Sequence, residues 1–155
     1  MLLSLSAAAA RAAELRAAGK TLVFTNGVFD LLHAGHVDYL QAARALGDAL
    51  FVGVNDDQSA RASKGPGRPF LPAADRARLL AALRCVDGVI VFPERTAEAV
   101  IAALRPAVYA KGGDYADKPL PERALVESIG GRVVLLPLLP DRSTTALIER
   151  IRGGG

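Results

Sequence analysis

Thr21 to Leu40, TLVFTNGVFDLLHAGHVDYL, reads as strand, loop and helix in succession. The apolar run Thr21–Thr25 gives the strand, Gly27 gives the turn, and Tyr39 begins a helical spacing continued by Ala42, Ala43 and Leu46. A junction of this kind points backbone N–H groups and the positive end of a helix dipole at one place, which suits a phosphate. Both histidines of the chain, His33 and His36, fall there, flanked by Gly35. Two imidazoles at a phosphate-binding turn point to chemistry on the phosphate. A lone histidine would be read as a residue satisfied by local carbonyls, and a His-x-x-His metal pair lacks a further His or Cys close by.

Outward from this stretch, strand and helix alternate. Before it, MLLSLSAAAARAAELRAAGK reads as a helix with Leu5, Ala8, Ala9, Ala12 and Leu15 on one face and Gly19 at its end. After it come a second strand, Leu50–Val54, and a basic, glycine- and proline-broken loop from Arg61 to Pro72. That loop carries Lys64, Gly65, Arg68 and Pro69, and its length inside a compact domain marks it as functional. A helical stripe of Leu79, Ala82, Leu83 and Val86 leads to a third strand, Val89–Phe92. Thr96 is placed to cap the next helix, whose expected buried face is Val100, Ala103 and Leu104; Pro106 stops it. Ala107–Ala110 reads as a fourth strand, running into Lys111-Gly112-Gly113-Asp114-Tyr115. Pro121 opens a helix that Gly130 ends, Val133–Leu136 is a fifth strand, and a last helix starts near Ser143-Thr144-Thr145.

This alternation predicts an α/β fold: an open parallel five-stranded sheet with helices on both faces, in one domain spanning 1–155. In such sheets ligands bind beyond the carboxyl ends of the strands. The segments after the first, second, fourth and fifth strands are therefore expected to converge.

Composition narrows the class. The chain is 51% apolar and 23% charged over 155 residues, as in a soluble globular protein. The net charge of +3 is carried by scattered Lys and Arg residues, which argues against nucleic acid as a partner. The single cysteine, Cys85, excludes an internal disulfide framework and reads as a core residue beside Leu83 and Val86. Arg11, Glu14 and Arg16 interrupt the N-terminal apolar stretch well short of the ~20 residues a membrane span needs. No basic residue precedes it as in a signal peptide. No membrane association and a cytoplasmic location are the expectation.

Asn26-Gly27-Val28-Phe29-Asp30-Leu31-Leu32-His33-Ala34-Gly35-His36 resembles the signature of the cytidylyltransferase-like nucleotidyltransferases, defined by His-x-Gly-His. Lys64-Gly65, Arg68-Pro69, Asp75-Arg76, the KGGDY segment and Ser143-Thr144-Thr145 follow in the order that family shows. Together they most resemble the adenylyltransferase domain that makes ADP-heptose from heptose 1-phosphate and ATP, a step of lipopolysaccharide core biosynthesis, on a Rossmann-like fold. The resemblance implies catalytic roles for His33, His36 and Lys64. It implies nucleotide binding by Asn26, Gly27, Val28, Phe29, Gly35, Arg76, Lys111, Gly112, Gly113, Asp114, Ser143, Thr144 and Thr145. It places Asp57 and Arg68 at the acceptor substrate, Asp57 in company with Mg²⁺, and leaves Asp30 as a cap of the turn. ATP and a sugar phosphate are the implied substrates, no protein-held metal cluster is implied, and relatives of this kind are dimeric. No sugar kinase accompanies the domain, so the 1-phosphate is expected from a separate protein. Glycerol 3-phosphate cytidylyltransferase shares His-x-Gly-His and the Ser-Thr-Thr end, and a non-catalytic nucleotide sensor on the same fold is the alternative from another class.

Overall fold

The structure is a computed structural model and describes residues 1–113, 119–137 and 144–153. Five parallel strands, β1 (Leu22–Gly27), β2 (Ala49–Asn55), β3 (Gly88–Phe92), β4 (Val108–Gly112) and β5 (Arg132–Leu136), lie in the order β3-β2-β1-β4-β5. This is a Rossmann-like sheet. The chain moves outward from β1 to β3, then crosses back to the other side of β1, so the strand order reverses between β1 and β4. A crevice at that reversal is where such sheets take ligands.

Successive side chains of a strand point to opposite faces, and both faces here are covered. Leu22, Phe24, Phe51, Ile90, Phe92 and Tyr109 meet α1 (Leu5–Ala17), α5 (Glu98–Leu104) and α6 (Arg123–Ser128). Val23, Leu50, Val52, Val54 and Val89 meet α2 (Ala34–Arg44) and α4 (Ala73–Ala81) on the other side. Gly53 lies in β2 where a β-carbon would stand 2.9 Å from the Phe24 ring and 3.0 Å from that of Phe92. Its missing side chain lets the two aromatics fill one layer. Among the described residues, no helix is long and apolar enough to cross a membrane.

Several local expectations are corrected. The first residues are not helical: Leu3 N–H donates to Val89 O at 2.9 Å and Val89 N–H to Met1 O at 2.9 Å, so the N-terminus covers the edge of β3. Only then does Ser4 cap α1, which buries Ala8 and Ala12 and leaves Leu5 exposed. Residues 61–64, expected in a loop, end α3 (Asp57–Lys64), capped by Asp56, whose carboxylate accepts Ser59 N–H at 2.7 Å. Helix α3 lies at the rim and buries only Ser59 and Ala60, so its sequence shows no apolar stripe. Helix α4 starts earlier than its leucines imply and buries Arg76, Ala77 and Leu80 while Leu79 is exposed. Ala42 is exposed, and α2 instead buries Leu40 and Ala43. Ala97, not Thr96, stands at the N-cap of α5, because the buried Glu122 carboxylate already accepts its N–H at 3.0 Å. That helix buries Val100, Ile101 and Leu104. Strands β1 and β4 run two residues further than their apolar cores, taking Asn26-Gly27 and Lys111-Gly112 into the sheet.

Candidate active site

Beyond the end of β1 the chain turns through Val28 to Leu32 and enters α2 (Ala34–Arg44) at His33. His33 holds the N-cap position in extended backbone without a side-chain cap bond, and its carbonyl accepts His36 N–H at 2.9 Å. One turn of helix then brings the imidazoles face to face, with ring centroids 3.9 Å apart and planes inclined by 26°. Phe29 closes the cluster, its ring meeting that of His36 edge-on at 5.4 Å. Phe29 is 7% exposed and has a left-handed backbone, φ 49°, an unusual conformation for a bulky residue. A β-carbon at residue 27 would stand 3.2 Å from the Phe29 ring, so a side chain there would press the ring back by a few tenths of an ångström.

Burial lowers the pKa of His36 from 6.5 to about 4; the neighbouring His33 lowers it further, and the Leu31 backbone carbonyl opposes the shift. His36 is therefore a neutral imidazole at neutral pH. It can donate one N–H to a phosphate oxygen without an ionic charge of its own.

Helix α2 is fastened to the sheet by Tyr39. Its hydroxyl lies 2.7 Å from Thr25 Oγ1 on β1 and donates to Ala110 O on β4 at 3.0 Å, bridging the reversal in strand order. Across the same crevice the Tyr109 hydroxyl donates to Asn26 Oδ1 at 2.6 Å, and Lys111 Nζ donates to Asn26 O at 3.2 Å. The Lys111 ammonium also lies 5.4 Å from the centre of the Tyr109 ring. A cation 6% exposed at the end of a central strand brings positive charge to the crevice.

Arg76 is wholly buried, and its guanidinium is engaged by the protein itself. Nε donates to Leu71 O at 2.9 Å, Nη1 to Val28 O at 2.6 Å and Asn55 O at 2.8 Å, and Nη2 to Asp57 Oδ1 at 2.7 Å. Asp57 Oδ1 also accepts Ala73 N–H at 2.8 Å, so the same carboxylate caps α4. Asp30 is more than a cap of its own turn. Its carboxylate, 1% exposed, accepts Arg68 Nε–H at 2.6 Å, Phe70 N–H at 2.7 Å and Leu71 N–H at 3.1 Å. The loop after α3 (Asp57–Lys64) is thereby fixed against the histidine loop.

The stretch from Asn26 to His36 is thus the hub. It is bonded directly to Lys111, Arg76 and Arg68, through Arg76 to Asp57, and through Leu31 O to the Thr144 hydroxyl at 3.5 Å. Thr144 begins α7 (Thr144–Gly153). Gly35 is the second residue of α2, and Gly112 ends β4 before Gly113. Lys64 is not tied to this hub: it ends α3, exposed, with no hydrogen bond or ion pair among the described residues. Asp114, Ser143 and the Thr145 side chain lie outside the described residues. Asp30, Tyr39, Tyr109 and Phe70 were not singled out by sequence reasoning as parts of the site. Asp30 stands inside the motif, and Phe70 lies in a glycine- and proline-broken loop with no strand or helix period to bury it.

A histidine pair at the first strand-to-helix turn, beside the reversal in strand order, stands where an open parallel sheet takes a phosphate-bearing ligand. A family model described as cytidylyltransferase-like matches residues 24–150, and the chain belongs to that family. Over 145 residues it is 57% identical to the bifunctional protein HldE of Streptomyces coelicolor, covering 94% of this chain and 31% of that protein. Over 136 residues it is 56% identical to the bifunctional protein HldE of Syntrophotalea carbinolica, covering 88% of this chain and 28% of that protein. The chain spans about a third of the length of these relatives. A solved structure, the lipopolysaccharide core biosynthesis protein of Thermoplasma volcanium, is similar with a TM-score of 0.66 at 28% identity, over 78% of this chain and 98% of that one.

Proposed function

We propose that the chain works as one nucleotidyltransferase domain, transferring AMP from ATP to D-glycero-D-manno-heptose 1-phosphate and giving ADP-heptose and pyrophosphate. The observation that carries the reading is the stacked His33–His36 pair at the start of α2, beside the crevice between β1 and β4. The heptose assignment rests on the order of the KGGDY and Ser-Thr-Thr segments after the histidine motif, and the identity to the HldE proteins supports it.

In this reaction an oxygen of the acceptor phosphate attacks the α-phosphorus of ATP, and the bond from that phosphorus to the oxygen bridging to the β-phosphate breaks. A phosphate monoester has its second pKa near ~6, so its oxygen is ionised without a side-chain base. The protein has to align the reactants and balance the negative charge that shifts onto the leaving pyrophosphate. His33 and His36 supply N–H donors from the helix start, Lys64 and Lys111 supply charge, and Gly35 lets phosphate lie against backbone. Ser143, Thr144 and Thr145 supply hydroxyls for the outer phosphates. Among the described residues no group of three or more His, Cys, Asp or Glu side chains could hold a metal ion. Mg²⁺ belongs to the same reading as part of the MgATP substrate, since it is commonly held by phosphates with one or two carboxylates. A cytoplasmic homodimer belongs to the same reading.

Incubation with MgATP and a panel of sugar phosphates, followed by pyrophosphate assay, tests it. Release with the heptose 1-phosphate is the expected result. Release only from CTP with glycerol 3-phosphate reassigns the substrates, and tight nucleotide binding with no release from any pair removes the catalytic reading.

A further inference from the structure

Phe70 is 46% exposed, yet its backbone is not loose. Asp30, 1% exposed at its side chain and three residues before His33, accepts the N–H groups of Phe70 and Leu71 and the Nε–H of Arg68. Exposing an aromatic ring forgoes the burial that other large side chains here achieve, and fixing it costs entropy as well. The guanidinium carbon of Arg68 lies 5.1 Å from the centre of the Phe70 ring. Arg68 is only 17% exposed, and its single hydrogen bond among the described residues uses Nε, so Nη1 and Nη2 keep their donors. A guanidinium held at Nε, with two further nitrogens open to solvent, is a fork for a phosphate. A fixed, half-exposed aromatic beside it is a platform for the C–H face of a sugar ring.

We infer that Arg68 and Phe70, held by Asp30, form the acceptor subsite and select a phosphorylated sugar in its ring form, Arg68 taking the phosphate and Phe70 the ring. This rests on the nucleotidyl-transfer reading above. Leu71 O, which accepts from Arg76, fastens the far end of the same loop to α4, so the platform stands on both the histidine loop and the α4 anchor.

The chain contains no tryptophan, so Phe70→Trp places a single, selectively excitable indole on the platform. Titration with heptose 1-phosphate is expected to give a saturable change in its emission, with little response to glycerol 3-phosphate, which has no ring, or to MgATP alone. In steady state, Phe70→Ala is expected to raise KM for the heptose phosphate about tenfold, the scale of one aromatic contact, with KM for ATP within about twofold. Arg68→Ala is expected to weaken the ring and ringless acceptors alike. An emission response to MgATP and not to sugar phosphate overturns the inference by placing Phe70 on the nucleotide side. Equal responses to heptose and glycerol phosphates overturn the stacking role, and no response to any ligand overturns the subsite. The fluorescence needs no turnover, so a saturable sugar-phosphate response without pyrophosphate release would retain the subsite while rejecting the catalytic reading.

Discussion

Arg76 Nη1 donates to the carbonyl oxygen of Val28 at 2.6 Å, joining the first turn of the site to a helix 48 residues further along the chain. The same nitrogen reaches Asn55 O at the end of β2, and the guanidinium is completely shielded from water. Arg76→Ala strands three carbonyls and one carboxylate at once, and such losses amount to about 3–5 kcal/mol for a buried charged group and its partners. Lysine cannot span the four acceptors, so Arg76→Lys is expected to lose a substantial part of this stability. Chemical denaturation measures both. An Arg76→Lys protein of full stability but weakened ATP binding would instead mark Arg76 as a phosphate ligand.

The histidine pair is expected to be separable from the fold. Neither side chain caps its helix, and the core of α2 is made by Leu40 and Ala43. His33→Ala and His36→Ala should each cut turnover by at least ~100-fold, the scale of losing one donor to transition-state charge. Their denaturation midpoints should stay near that of the parent protein. Near-normal pyrophosphate release by both variants would show that the rings serve packing alone.

How much of this was readable beforehand depended on what each feature needs from the chain. The five strands and their parallel pairing followed from apolar runs separated by helices, because a strand buried on both faces leaves that pattern. His33 and His36 were readable because two scarce side chains fell at one glycine-flanked turn. Helix α3 was not, since a rim helix with only Ser59 and Ala60 buried carries almost no apolar signal. Nor was the use of Arg76: an arginine beside an aspartate in sequence resembles a surface pair, and only the packing of α4 against β2 and β3 shows it buried. The sequence around Asp30 shows no more than a turn cap, because its partners lie 38 to 41 residues away, a separation no local pattern reports.

Acid is expected to weaken the fold through His36. Its folded pKa of about 4 lies below the ordinary 6.5, so between these values the unfolded chain binds a proton that the folded chain refuses. The contribution is present in full above about 6.5 and is lost as the pH falls toward about 4. His36→Gln keeps an N–H donor and cannot titrate. Denaturation midpoints at pH 7.5 and pH 5 should therefore fall further for the parent protein than for His36→Gln. An equal fall in both would show that other groups account for the acid sensitivity. Because His36 stays neutral, the parent's turnover should show no inflection from this group between pH 6 and pH 8.

Asp30 holds the second loop with both of its oxygens, Oδ2 on Arg68 Nε and Oδ1 on the N–H groups of Phe70 and Leu71. Asp30→Asn preserves size and one acceptor oxygen but loses the negative charge and places an amide where a donor already points. Either orientation of that amide leaves Arg68 or the two backbone N–H groups facing an NH₂. The loop from Gly65 to Leu71 should then open more often. It should show faster amide exchange at Phe70 and Leu71 and faster cleavage by a protease at low concentration, while the strands stay protected. KM for the acceptor should rise more than KM for ATP, because the displaced groups are those assigned to the sugar phosphate. Unchanged exchange at Phe70 and Leu71 in a folded Asp30→Asn protein would show that the loop is held by other contacts, among them Arg76 on Leu71 O.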